Sequence, residues 1–137
     1  MLGDRQAVAS VAQMKASVAV GLGEWRQALR DCSNSAQQYL EIGQSIYVVP
    51  PAFTASVAFA YMRRFEAAAV LLGFVEGQVS IDEELAQLLE QLNYVRTATN
   101  EALGEREASV LRARGASLDS MDALSYLCDE SERALDD

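Results

Sequence analysis

Side chains able to do chemistry are few in this 137-residue chain, and they are poorly placed for one another. It has no histidine, which removes the commonest general base and a frequent metal ligand together. Cys32 and Cys128 each stand without a second thiol at ligand spacing. They read as small buried hydrophobes of a reducing cytoplasm rather than as a disulfide framework. The densest acidic run is Asp82-Glu83-Glu84. Adjacent carboxylates on a helix point in different directions, so these read as charges at a helix N-terminus, where exposed amides and the dipole favour them. Arg63-Arg64 is the only basic pair, and it reads as a solvated turn or as a contact for an acidic partner. No Gly-x-x-x-x-Gly-Lys-Ser/Thr run is present to cradle a phosphate. No catalytic residue, metal or cofactor is therefore expected, and an enzyme is the least supported class.

The elements that must position these residues are helices. Alanine and leucine are abundant and only two residues are proline, so a mostly helical single domain is the compositional expectation. A chain of this length hides roughly 68% of its unfolded surface, enough for one core. Gly23-Glu24-Trp25-Arg26-Gln27-Ala28 returns, degraded but in register, 40 residues later as Arg63-Arg64-Phe65-Glu66-Ala67-Ala68. Each copy has an aromatic residue, alanine three places on and an apolar residue seven places on: Trp25, Ala28, Cys32, then Phe65, Ala68, Leu72. Self-similarity at such a period signals stacked helical hairpins, none of which buries its apolar face alone.

In chain order, the spacing predicts a first helix over about 5–20, with Val8, Val11, Ala12, Lys15 and Ala19 on one side and Ser10, Gln13 and Ser17 on a more polar side. Gly21 and Gly23 end it. A second helix follows to about Ile42. After Pro50-Pro51 a nearly all-apolar third helix reaches about Met62, so it is either central in the core or faces a partner. The fourth helix carries Ala68, Val70, Leu71, Leu72 and Val75. The fifth, opened by Asp82-Glu83-Glu84, places Leu85, Leu88, Leu89, Leu92, Val95, Thr99 and Leu103 in one stripe. A sixth runs over about 105–114, with Gly115 placed after it as a stop. A seventh is capped by Asp119 or Ser120 with Asp122 as the reciprocal acid. Residues 1–128 are expected to form one domain, and 129–137 an acidic tail that frays.

The Gly-acid-aromatic turn with alanine three residues on resembles the tetratricopeptide repeat (TPR). Leu71-Leu72-Gly73-x-x-Glu76, then Ala102-Leu103-Gly104-Glu105, then Gly115-x-x-Leu118-x-x-x-Asp122-Ala123-Leu124 occur in an order similar to the C-terminal TPR-like region of bacterial LuxR-type and adenylate-cyclase-associated signalling ATPases related to MalT. The resemblance covers roughly residues 24 to 128. It implies an all-α array of about seven helices in TPR-like hairpins, ending a sensor region beside an ATPase or other regulatory domain. The aromatic residue common in that family's penultimate helix is absent, with Leu111 and Arg112 in its neighbourhood. The LuxR-type DNA-binding pattern fails too, because Ser120 and Asp122 stand where it needs glutamate and alanine.

In such an array the first helix of each hairpin lines the inner surface. By register the groove residues are Ser10, Gln13 and Ser17 from one hairpin and Phe53, Val57 and Tyr61 from the next, polar at one end and aromatic at the other. This suits an amphipathic helix or peptide, whereas the competing reading is a core covered by the fifth helix. Residues 1–68 carry 6 basic and 5 acidic side chains, net +1; residues 69–137 carry 5 and 15, net −10. The acidic half disfavours direct nucleic-acid binding. Asp4, Arg5 and Lys15 interrupt any signal-peptide core, and no stretch approaches ~20 apolar residues, so a cytoplasmic chain without a membrane segment is expected. The function these readings favour is a non-catalytic protein-interaction module of a bacterial signalling or transcription regulator, complete or part of a larger chain. Its partner would be another protein or a neighbouring domain. The alternatives are a small-molecule effector sensor, and a homodimerisation module driven by the third helix.

Overall fold

The apolar periods lay out helices, and the described residues fold as helices. A computed structural model describes residues 2–43, 48–78 and 86–136. They form α1 (Leu2–Gly21), α2 (Trp25–Glu41), α3 (Val49–Tyr61), α4 (Phe65–Gln78), α5 (Ala86–Leu103), α6 (Glu105–Ala116) and α7 (Ser120–Asp136). The class is all-α, with no strand among the described residues. Asp82-Glu83-Glu84 and Leu85 lie outside the described residues, as do the side chains of Leu88 and Leu89. Of the rest of the fifth-helix stripe, Leu92, Val95 and Thr99 are buried and Leu103 is half-buried.

The 40-residue repeat has a shared geometry at its turns. The Glu24 amide donates to the Ala19 carbonyl (2.8 Å) and Gly23 to Val20 (3.1 Å). The Arg64 amide likewise donates to Phe59 (2.8 Å) and Arg63 to Ala60 (3.2 Å). Both are Schellman caps, which need a left-handed residue at the fifth position. Gly23 takes φ 75° without strain, while Arg63, its counterpart, takes φ 65° and is the only non-glycine with positive φ among the described residues. The lost glycine of the second copy therefore left the turn's shape intact. Each following helix opens at the same register, with the Ala28 amide on the Glu24 carbonyl and Ala68 on Arg64.

At the centre of the fold is α4, because after Glu66 nothing in its sequence up to Val75 favours water. Ala67 through Val75 are all buried, and α3, α5, α6 and α7 pack around it. Burying both sides of one helix requires close neighbours, and glycine supplies one approach. A Cβ on Gly73 would lie 2.6 Å from the Arg112 carbonyl carbon, and one on Gly115 would lie 2.7 Å from that of Val70. The two backbones are thus in contact where α4 crosses α6. This corrects the reading of Gly115 as a stop: it is buried inside α6, which continues to Ala116. Both glycines belong to motifs that carry the family resemblance, and here their spacing follows from packing.

The structure refines three further expectations. On α1 the buried residues among 7–21 are Ala9, Ala12, Ala16 and Ala19, while Val8 and Val11 are exposed. Small side chains go to the tight hairpin with α2, and the valines turn outward. The third helix, expected either in the core or facing a partner, is central: Pro51, Ala52 and Thr54 through Ala60 are buried within the chain. Its two prolines occupy the first turn, where their missing N–H groups cost nothing. Residues 129–136 do not fray as an acidic tail. Capped by the Asp119 carboxylate on the Asp122 amide (2.8 Å), α7 runs to Asp136 with Ser131 and Ala134 buried. It folds back onto α2, α3 and α4. The Arg26 guanidinium of α2 donates to the carbonyls of Leu135 (2.6 Å) and Ala134 (3.4 Å), satisfying the last turn of α7.

Candidate functional site

The groove expected by register is bordered by α1, α3 and α5, with α3 packing on both of the others. Of the six residues placed there by register, four converge. Ser17, Phe53 and Val57 line one cleft with Val20, Thr54 and Gln91. Val57 and Tyr61 line the adjoining cleft with Val20, Trp25, Glu90, Gln91 and Tyr94. Val20, Val57 and Gln91 are common to both, so the two form one continuous groove. Gln13 borders it: its Nε2 donates to the Thr54 hydroxyl (3.0 Å), tying α1 to α3. Ser10 is exposed two turns earlier on α1 and is not brought to the others.

The core reading and the groove reading each hold for part of the helix. Val57 is 2% exposed and belongs to the core, and Phe53 is half-buried against it. Tyr61 is 43% exposed. Four residues on from Val57, Tyr61 continues the same face at the last residue of α3, where Tyr94 of α5 packs on its ring and part of the side chain stays exposed.

The groove's aromatic end is a three-ring stack. Trp25, at the first position of α2, lies parallel to Tyr61 with centroids 4.1 Å apart and planes 3° apart. Tyr61 in turn stacks on Tyr94 of α5 at 4.4 Å and 17°. Such offset pairs contribute about 0.5–1.5 kcal/mol each beyond area burial, and here they join α2, α3 and α5. Tyr94, 38% exposed, is the residue that sequence reasoning missed. Its signal was an aromatic side chain off the apolar stripe of its own helix. Burial, and then the neighbouring Tyr61, push the Tyr94 phenol above its ordinary range. The Tyr94 hydroxyl therefore stays protonated at physiological pH and offers a hydrogen-bond donor to a cleft that Glu90 also lines.

Nucleophilic chemistry finds no support elsewhere. Burial, reinforced by the charge of Asp31, pushes the Cys32 thiol far above its ordinary range. Burial raises Cys128 as well, although its sulfur donates to the Ser33 carbonyl (3.7 Å). Neither is a thiolate at neutral pH. Among the described residues no group of three or more Cys, Asp or Glu converges as a metal site, and no helix is long and apolar enough to cross a membrane. No family model, no curated protein and no solved structure matches the chain.

Proposed function

We propose that the chain is a non-catalytic, TPR-like protein-interaction module of a bacterial signal-transduction or transcription regulator. Its inner groove takes a segment of another protein or of a neighbouring ATPase or regulatory domain. The observation that carries this reading is the half-exposed Tyr61–Tyr94 pair, set on helices at the end of a groove of mixed polar and apolar lining. Large aromatic surfaces with a polar hydroxyl at the tip bury much area at little entropic cost, and they anchor protein interfaces. The paired Schellman turns support hairpin stacking, which offers the first helix of each hairpin to a ligand. Ser17, Gln91 and the Gln13–Thr54 pair supply the polar end, suited to an amphipathic helix or peptide.

A second reading, small-molecule effector sensing, draws on the parallel rings of Trp25, Tyr61 and Tyr94, on whose edge a flat apolar metabolite would stack. Trp25 is the sole tryptophan, so its fluorescence reports the groove directly. A thermal-shift and fluorescence screen separates the two readings. A saturable shift with metabolites, lost in Tyr61→Ala, selects the sensor. A response confined to polypeptides, again lost in Tyr61→Ala, selects the interaction module. A response from neither class, or one indifferent to Tyr61→Ala, refutes both.

A further inference from the structure

A second surface lies on the opposite side of the first hairpin and owes nothing to the inner groove. Met14, Val18 and Leu22 of α1 are 68%, 62% and 67% exposed, and Val11 is half-exposed beside them. They form the floor of a groove of about 460 Å³ between α1 and α2, walled on the α2 side by Glu24 and Asp31. Side chains at positions 11, 14, 18 and 22 repeat every three or four residues, the signature of a face that packs against a helix.

The internal repeat indicates what kind of element belongs there. Forty residues on, Val11, Met14 and Val18 correspond to Pro51, Thr54 and Ala58, which are buried, and Leu22 to Met62, which packs partly buried on the core. On the α2 side, Gln27 and Asp31 correspond to Ala67 and Leu71, which are buried, and Glu24 to Arg64, which is partly exposed. In the second hairpin this surface is interior, in a fold where α2 packs directly on α3. In the first hairpin no described element covers it. The repeat therefore points to a helix as occupant.

Charge then specifies the helix. Glu24 and Asp31 lie seven residues apart, on one side of α2 along two turns. Lys15 is the only cation lining the groove, and the chain as a whole carries −9. We infer that the outward face of α1 docks an amphipathic helix of a partner polypeptide, with apolar residues at three- and four-residue spacing and a basic flank that meets Glu24 and Asp31. A second copy fits less well. A two-fold contact of α1 on α1 sets Lys15, midway along the stripe, beside its own symmetry mate, and brings together two chains of net charge −9.

The test is fluorescence anisotropy on the full chain with a labelled 18-residue designed peptide, leucine at three- and four-residue spacing and lysine along one flank. A twin carries glutamate in place of lysine. The lysine peptide binds saturably and at least tenfold tighter than its twin. Val18→Asp weakens it about tenfold or more even though it adds negative charge, while Tyr61→Ala leaves it unchanged. Circular dichroism confirms that Val18→Asp, altered at an exposed position, stays folded. The inference is overturned by absent or unsaturable binding, by equal binding of the twin, or by Val18→Asp leaving binding intact or stronger, which marks diffuse attraction to an acidic surface. A wild-type dimer in sedimentation that Val18→Asp dissociates also overturns it, in favour of a second copy. Loss of binding in Tyr61→Ala transfers the peptide to the inner groove and overturns the assignment to α1.

Discussion

Replacing Gly115 by alanine sets two physical effects against each other, and the structure decides the sign. Inside an exposed helix the change stabilises by up to about 1 kcal/mol, because glycine gives up more backbone freedom on folding. At this position the new Cβ would stand 2.7 Å from the Val70 carbonyl carbon and 3.0 Å from the Phe74 amide nitrogen. Optimal carbon contacts lie near ~3.5–4.0 Å, so α6 must recede from α4 by about an ångström. The obstacle is main chain, which has no rotamer through which to yield. Overpacking of a core costs about 1–3 kcal/mol, and an unyielding partner places this case at the upper end. After subtracting the propensity gain, Gly115→Ala is expected to lose about 2 kcal/mol. Urea denaturation followed by circular dichroism measures it as a lower midpoint at unchanged slope. Gly77→Ala is the control on the same helix pair, since its Cβ would meet Ala116 at 3.8 Å, an ordinary contact. That variant is expected to be neutral or more stable. A Gly115→Ala protein as stable as wild type would refute the backbone-contact crossing.

Other consequences are equally direct. Arg63→Gly removes a left-handed non-glycine cost of roughly 1–2 kcal/mol and adds roughly 0.5–1 of chain entropy, for a net gain of roughly 0.5–1 kcal/mol in urea denaturation; a lower midpoint contradicts the cap geometry. Burial, followed by Glu130, holds the Tyr126 phenol up at about 12. The unfolded chain releases this proton near pH 10 and the folded chain does not, so stability is unaffected below about pH 10 and falls as pH rises from there toward 12. Tyr126→Phe flattens that fall, and identical slopes for the two proteins count against it. Arg26→Ala frees the last carbonyls of α7, and hydrogen exchange should quicken at residues 131–136 while α4 amides stay protected; uniform exchange across both helices contradicts this capping role.

Most of the helical outline could be read from the chain because each stop and start had a local cause: a left-handed glycine at 23, an Asp119 cap, prolines in a first turn. What stayed hidden depends on neighbours. Glycine serves equally to end a helix and to let two backbones touch, and nothing local to Gly115 distinguishes the two uses. On α1, apolar spacing marks valines and alanines alike as candidates for burial. Only the closeness of α2 selects Ala9, Ala12, Ala16 and Ala19 and turns the valines outward. The helix through 129–136 was masked by its acids, since its buried residues, Ser131 and Ala134, are small and inconspicuous. In the groove, Phe53, Val57 and Tyr61 followed from the register of the repeat. Tyr94 did not, because which face of α5 meets α3 is a tertiary fact.

The inner-groove reading is tested most directly by replacing Tyr61 with a photoreactive phenylalanine in the cell, and Val110, exposed on α6, in a parallel strain. Irradiation followed by peptide mapping should give one discrete polypeptide adduct from position 61, abolished by Tyr94→Ala and absent from position 110. Adducts equally diffuse at both positions would contradict the groove as a binding surface.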